Sequence, residues 1–467
     1  MPTSTEPVQP APRHRGWPLV GSTFPFISDP LGFLLRLQEQ YERLSVVRVL
    51  RRDLNILQTA EDVKYVLQEN NRNYHKSEAY KILATFLGNG LLTSEEDFWR
   101  RQRKLAQPAF YKQRLALMAD MMAQETEALV ADWQAHDVAL PRDISKDMMR
   151  LTLNIVTKAL FSTDVGDRVA GISPAIDDIM HFADQTLKSF IRPPLTIPTP
   201  RNKKYLAAVA KVEEVIYGII NGRREERKRN PDLRHDDLLD MLMHTRDEET
   251  GETMSDGQLR DEVTTIFMAG HETTANALSW AFYLLAKHPE VVEKIRKEGK
   301  AVFAKEETST FEKARELKYT LQVVQEVLRL YPPAWVISRR SLAEDQIGPY
   351  LFPPNSYFLI SPYTLHRRPE YWDAPEVFNP DRFSEENSKN RPTYAYLPFG
   401  GGPRLCIGNN FALMEMQLVL AILLRDFEVS LLSEDQIIEP EPMVTLRPKG
   451  GVFLKIKPSM INNLLSL

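Results

Sequence analysis

The chemistry-bearing residues of this chain begin with its one cysteine. Cys406 lies in Phe399-Gly-Gly-Gly-Pro-Arg-Leu-Cys406-Ile-Gly408, and no other thiol occurs in 467 residues. Three successive glycines disfavour helix and strand alike, because each gives up more backbone freedom on ordering than any other residue. The following run, Phe411 to Leu424, is almost wholly apolar, broken mainly by Glu415 and Gln417, and reads as a buried helix. A glycine-rich loop entering a helix N-terminus offers unpaired N–H groups and the positive end of the helix dipole, which favour a thiolate. Taken alone, a lone cysteine is by default a small buried hydrophobe. Here the glycines let backbone pass close to a bulky partner, Arg404 puts a cation two residues from the sulfur, and Phe399 can shield it from water. Such surroundings suit a soft thiolate ligand for iron.

Three further constellations stand out. Ala269-Gly-His-Glu-Thr-Thr274 places a glycine, a carboxylate and two β-branched alcohols where a buried helix should carry Leu or Ala. The Thr273 hydroxyl can draw a backbone carbonyl away from its helical partner, and Glu272 can exchange protons, so the pair could form a relay; the plainer reading is a helix with incidental polar residues. A zinc-protease H-E-x-x-H reading fails, because Ala275 stands where the second histidine is needed. Glu326 and Arg329 share a helix face at i,i+3. The same spacing recurs at Glu226/Arg229, Glu293/Arg296 and Glu312/Arg315, in charge-rich surroundings that predict solvated pairs. Only Glu326/Arg329 lies in an otherwise apolar helix, Leu321 to Leu330, stopped by Tyr331-Pro332-Pro333. Finally, Trp99 and Arg103 are four apart on one helical face, and two side chains that only donate call for an anion. A surface cation–π pair is the competing reading.

Phe399, Gly402, Arg404, Cys406 and Gly408 match F-x-x-G-x-R-x-C-x-G, and on these residues the chain resembles the cytochrome P450 monooxygenases. Ala269-Gly270-x-Glu272-Thr273 resembles that family's oxygen-activation motif. Glu326/Arg329 resembles its E-x-x-R, with Arg382 of Pro380-Asp-Arg382-Phe383 as the implied third member of a structural triad. The resemblance implies haem b as cofactor, Cys406 as the metal ligand, and Glu272 and Thr273 as the catalytic proton relay. It implies that Trp99, Arg103 and Arg339 meet the haem propionates, with the neighbouring Arg340 an alternative to Arg339. Ala269, Gly270, Phe399, Arg404 and Gly408 would complete the cofactor contacts. The substrate pocket it implies draws on the Ile82 to Leu91 stretch, with Phe86, Leu87 and Leu91, then on Phe267, Trp335, Val336, Ile337, Thr445 and Leu446. Most of these are apolar, which predicts an apolar substrate, fatty-acid-like or terpenoid-like; ordinary core packing is the alternative. Arg51 or Arg52 could anchor a carboxylate.

These parts must be positioned by a mainly α fold with some β structure. The pattern predicts a helix-rich chain with a small β-rich lobe, and the resemblance implies one large domain, 16–467, with haem between a long central helix and the cysteine loop. A flexible segment, 1–15, precedes it. Ser255 with Gln258 forms a capping box, and periodic apolar residues then run to about Lys287, a helix on the order of 50 Å long. Ser45–Leu50 and Asp53–Thr59 predict a hairpin, and Gly451–Ile456 predicts a strand. Trp99 to about Met243 reads as mostly helical, interrupted by the four prolines of Ile191 to Pro200. Charges around Arg223 to Arg229 predict a solvated helix face.

A net charge of −4 gives no reason to expect a nucleic-acid partner, and one cysteine fits a reducing compartment. The N-terminus has neither the apolar core of a signal peptide nor an anchor, so a cytoplasmic, soluble, bacterial-type monomer is expected. Arg100, Arg101, Lys104, Lys112 and Arg114 form a basic cluster, either a solvated face or a surface that steers an acidic electron carrier. The resemblance implies such a carrier, a ferredoxin or flavodoxin with an NAD(P)H-dependent reductase. A peroxide-using relative or a haem-based sensor would not need the Glu272–Thr273 pair.

Overall fold

The computed structural model describes residues 9–162, 171–189, 192–235, 237–246 and 251–459. Helices dominate, accompanied by a few small sheets, as the sequence predicted. Backbone contacts divide the chain into two compact units. The first is drawn from 1–80, 325–406 and 440–446, the second from 81–324, 407–439 and 447–467.

In the first unit, β1 (Leu44–Val49), β2 (Arg52–Leu57), β3 (Tyr74–Lys76), β4 (Ile337–Ser341) and β5 (Tyr357–Ile360) form one sheet in the order β1-β2-β5-β4-β3. β1 and β2 are the predicted hairpin, with Leu44 opposite Leu57, and β2 runs parallel to β5. Both faces are covered. Val46, Leu57 and Phe358 join Tyr74, Ile337 and Leu397 in one cluster, while their neighbours Val47, Ile56 and Leu359 join Leu34, Leu37, Trp335 and Leu446 in another. Two-sided burial explains why these strands read as apolar runs. Of the start expected to be flexible, 1–8 lie outside the described residues. From Gln9 onward the chain is held: Gln9 N donates to Pro349 O and His14 N to Val46 O, both at 2.9 Å, and Arg13 pairs with Asp53 at 2.7 Å.

The second unit is built on the long helix Asp256–Lys287, whose capping box is present in both directions, with Ser255 N donating to Gln258 Oε1 at 2.7 Å. Helix Ile144–Phe161 lies against it. Thr152 Oγ1 donates to His271 O at 3.0 Å, and a Cβ on Gly270 would stand 3.0 Å from Val156 Cγ2. The helix predicted after the cysteine loop is Asn409–Asp426, buried along most of its length. Trp133, from helix Lys112–Gln134, meets Phe282 and Phe427 edge-on, with ring centres 5.7 and 5.3 Å away. Residues 192–199 carry no helix, and Pro200 opens the helix Pro200–Arg229. The predicted C-terminal strand is Phe453–Pro458, between Arg142–Asp143 and Phe427–Ser430.

Two charge readings need correction. Arg223 is not on a solvated face: it is buried and grips Asp237 at 3.0 and 2.7 Å. Nor is Glu293/Arg296 a solvated pair, since Arg296 is buried and donates to Leu424 O at 3.0 Å and Phe427 O at 3.1 Å. An arginine can satisfy several carbonyls at once, so a charged run does not reveal which member turns inward. Glu312/Arg315 is an exposed pair, as predicted.

Candidate functional site

In the first unit, the second half of helix Lys318–Leu330 carries the acid–base pair into a fully buried setting. Arg329 Nε and Nη2 donate to the two oxygens of Glu326 at 2.7 and 2.8 Å, with both side chains at 0% exposure. Arg382 Nε lies 3.4 Å from Glu326 Oε1, completing the predicted triad. A buried pair survives only where its remaining donors are satisfied. Here Arg329 also donates to the carbonyls of His366 (2.9 Å), Pro375 (2.6 Å) and Val377 (3.2 Å), and Asn379 N donates to Glu326 at 2.8 Å.

The cysteine loop belongs to the same unit. Cys406 N donates to Phe399 O at 3.0 Å, and Gly400 N donates to Leu397 O at 3.0 Å. Gly402 has φ +65°, and a Cβ there would lie 1.9 Å from Leu67 O, so only glycine fits. Cys406 takes part in no disulfide and is exposed. Beside the loop, Ile337 Cδ1 approaches Gly400. Ile337 and Arg339 share one face of β4. Arg340 turns to the other face, where it pairs with Glu78 at 3.0 Å. Arg339 is buried, its guanidinium donates to Ser338 O at 3.0 Å, and no carboxylate pairs with it among the described residues. Arg52 is also taken by Glu78, at 3.0 Å, and lies over the Tyr357 ring.

In the second unit, the long helix is buried on most sides, yet Ala269 is exposed and Gly270 and Thr273 are partly so. Thr273 Oγ1 donates to Ala269 O at 2.5 Å, within a helix that runs unbroken from Asp256 to Lys287. Glu272 is 5% exposed, so a link from it to solvent would have to pass through other groups. The Cβ direction of Gly270 is taken by Val156, so the close approach this glycine permits there is that of a neighbouring helix. Trp99 and Arg103 are half-buried on helix Glu96–Ala106. Of the basic cluster, Arg100, Arg101 and Lys112 pair with Asp97, Glu252 and Glu312.

The residues expected to line a substrate pocket are divided between the two units. Phe86, Leu87 and Phe267 are buried and Leu91 half-buried in the second. In the first, Trp335 and Leu446 belong to the sheet core, Val336 packs against it, and Trp335 Nε1 donates to Met443 O at 2.9 Å. Thr445 is buried. Sequence reasoning missed the clamp on the segment after Phe86: Asn89 N donates to Asp261 at 2.7 Å and Leu91 N to Glu262 at 3.1 Å. Two consecutive acids in a buried helix were the available signal.

The family model described as Cytochrome P450 matches residues 10–455. The chain belongs to the cytochrome P450 family. It is 35% identical to cyclooctatin synthase of Streptomyces melanosporofaciens, over 96% of this chain and 96% of that protein. It is 33% identical to cyclooctat-9-en-7-ol 5-monooxygenase of the same species, over 88% and 89%. It is also 31% identical to cytochrome P450 4V2 of Rattus norvegicus, over 95% and 88%. This P450 is accordingly a monooxygenase with haem b as cofactor. Its donor set fits that group: an exposed thiol on a glycine-shaped loop suits iron, and a buried arginine without a carboxylate suits an acidic substituent. Among the described residues no helix is long and apolar enough to cross a membrane.

Proposed function

We propose that this chain hydroxylates an apolar, terpenoid-like small molecule, with Cys406 as the residue that would hold the haem iron. The observation that carries the reading is the only thiol, exposed on a loop that hydrogen bonds and a left-handed glycine hold in place. Cys406 would hold the iron through Sγ. Arg339, Trp99 and Arg103 would donate to the propionates, with Arg339 favoured over the Glu78-paired Arg340. Phe399, Arg404 and Gly408 would line the thiolate, and Ala269 and Gly270 would add contacts to the cofactor. When bound, haem b supplies dioxygen activation and oxygen insertion into a C–H bond. Thr273 Oγ1, now donating to Ala269 O, would pass a proton on release of that bond, and Glu272 would resupply it. Phe86, Leu87, Leu91, Phe267, Trp335, Val336, Ile337, Thr445 and Leu446 would exclude water and favour an apolar ligand.

Two relatives named for cyclooctatin chemistry support the terpenoid-like class over a fatty acid. So does the commitment of Arg52 to Glu78, which leaves a carboxylate anchor less well supplied. Electrons would come from an external ferredoxin or flavodoxin with its reductase. The bacterial relatives support a soluble, cytoplasmic, bacterial-type enzyme. Cys406→His in the holoprotein tests the central assignment. Loss of the red-shifted Soret band of the reduced carbon monoxide complex is expected, and an unchanged band would remove Cys406 as ligand. For the substrate class, cyclic terpenoid alcohols and fatty acids are compared by the low-spin to high-spin shift they induce.

A further inference from the structure

Between the buried triad and the cysteine loop stands one side chain that no motif assigns. His366 is fully buried. It is tied to Arg329 twice, its carbonyl accepting from the guanidinium at 2.9 Å and its Nδ1 lying 3.1 Å from Arg329 O. On the far side of the ring, Leu397 N donates to Nε2 at 2.9 Å. These two contacts fix the tautomer. A backbone N–H aimed at Nε2 requires a lone pair there, and a carbonyl facing Nδ1 requires a proton there. Only the neutral Nδ1–H imidazole satisfies both, and burial together with the Arg329 charge pushes the group down to about 3. Tyr396 and Trp372 pack on the ring at 5.2 and 6.3 Å between centres and limit its rotation.

Leu397 is where the cysteine loop begins. Its N–H is held by His366, its carbonyl accepts from Gly400 N, and the next carbonyl but one, that of Phe399, accepts from Cys406 N. Hydrogen bonds joined through the backbone of Leu397 and the Phe399–Gly400 peptide therefore link Glu326, by way of Arg329 and His366, to the amide of Cys406. Glycines at 400 to 402 give the loop little stiffness of its own. Its entry must be set from outside, and the Leu397 amide is the point at which the scaffold grips it.

We propose that His366 is a positioning residue that sets the cysteine loop through the Leu397 amide, so that the sulfur is presented as a thiolate ligand. This inference rests on the assignment of Cys406 as ligand, and its test separates the two. His366→Gln keeps an acceptor at the reach of Nε2; His366→Asn keeps a donor at the reach of Nδ1 but is too short for Leu397; His366→Phe keeps neither. In reduced, carbon monoxide-treated holoprotein, Phe and Asn are expected to shift the thiolate-to-thiol ratio roughly tenfold or more toward the protonated thiol, the scale of one buried amide left unpaired. Gln is expected to restore the thiolate band. In parallel, hydrogen exchange should find the Leu397 amide protected in the parent and in Gln, and exposed in Asn and Phe.

A merely structural role would lower the melting temperature in all three variants and leave the ratio at the parental value, which would overturn the proposal. Rescue by Asn instead of Gln would overturn it too. Should Phe fail to fold, the Gln and Asn pair decides. Absence of the thiolate band in the parent would instead strike the cysteine assignment. Protection of the Leu397 amide is read without reference to the sulfur, so that failure is distinguishable from an error about His366.

Discussion

Thr273 is the residue where geometry and chemistry bear most directly on each other. Its hydroxyl spends itself on Ala269 O at 2.5 Å, a bond any proton transfer must interrupt. Thr273→Ala is expected to leave haem content unchanged while diverting most reducing equivalents to hydrogen peroxide, read as peroxide formed per NAD(P)H consumed; unaltered coupling would mean that protons travel elsewhere. Glu326 behaves differently, because both members of its pair are fully buried. Glu326→Ala leaves the Arg329 charge uncompensated, a loss of about 3–5 kcal/mol, so little folded holoprotein should be recovered. Normal yield and haem content would reduce the triad to an accessory. The residues of the cysteine motif, of the acid–alcohol pair and of Glu326/Arg329 were marked in the sequence, because each set fixes residue type and spacing on a single element, whereas Arg382 meets Glu326 from a separate segment and was implied only by the resemblance. His366 was not. Its role is carried by a contact with Leu397, thirty-one positions away, and nothing local marks a histidine that spans such a distance.

At the scale of elements, the sequence announced helices and strands through capping, periodicity and proline placement. It did not announce which glycines the packing requires and which it does not. Gly402 and Gly257 make the contrast testable. A Cβ at Gly402 would strike Leu67 O at 1.9 Å in a left-handed conformation, whereas Gly257 sits in the first turn of the long helix with open space around it. Gly402→Ala should abolish haem incorporation, and Gly257→Ala should raise stability by about 0.5–1 kcal/mol in urea titration. The clamp on Asn89 and Leu91 is likewise invisible to periodicity, because its acceptors, Asp261 and Glu262, lie about 170 positions later. Since Gly88 and Gly90 leave no room for a Cβ against Asp261 and Thr265, this segment is fitted to the helix by backbone shape as well as by charge.

Over the whole molecule, three buried titratable groups bear on how stability responds to pH. Burial pushes His271 down to about 4 and, with Arg329, His366 to about 3. Glu415 is fully buried, its oxygens complete no well-formed hydrogen bond among the described residues, and burial pushes its carboxyl well above 4.5, only partly opposed by the Thr274 hydroxyl. Between pH 4.5 and 6.5 the unfolded chain protonates both imidazoles while the folded chain keeps them neutral, so the two histidines make stability rise with pH, and their contribution levels off above 6.5. Glu415 acts in the opposite sense, because burial lets the fold hold a proton that the unfolded chain releases above 4.5. Glu415→Gln removes that opposition, so both histidines then act alone. The urea midpoint of holoprotein, measured from pH 5 to 9, should therefore rise more steeply below pH 6.5 in Glu415→Gln than in the parent. Equal curves in the two proteins would mean that Glu415 is ionised in the fold and finds a cation or hydrogen-bond donors there.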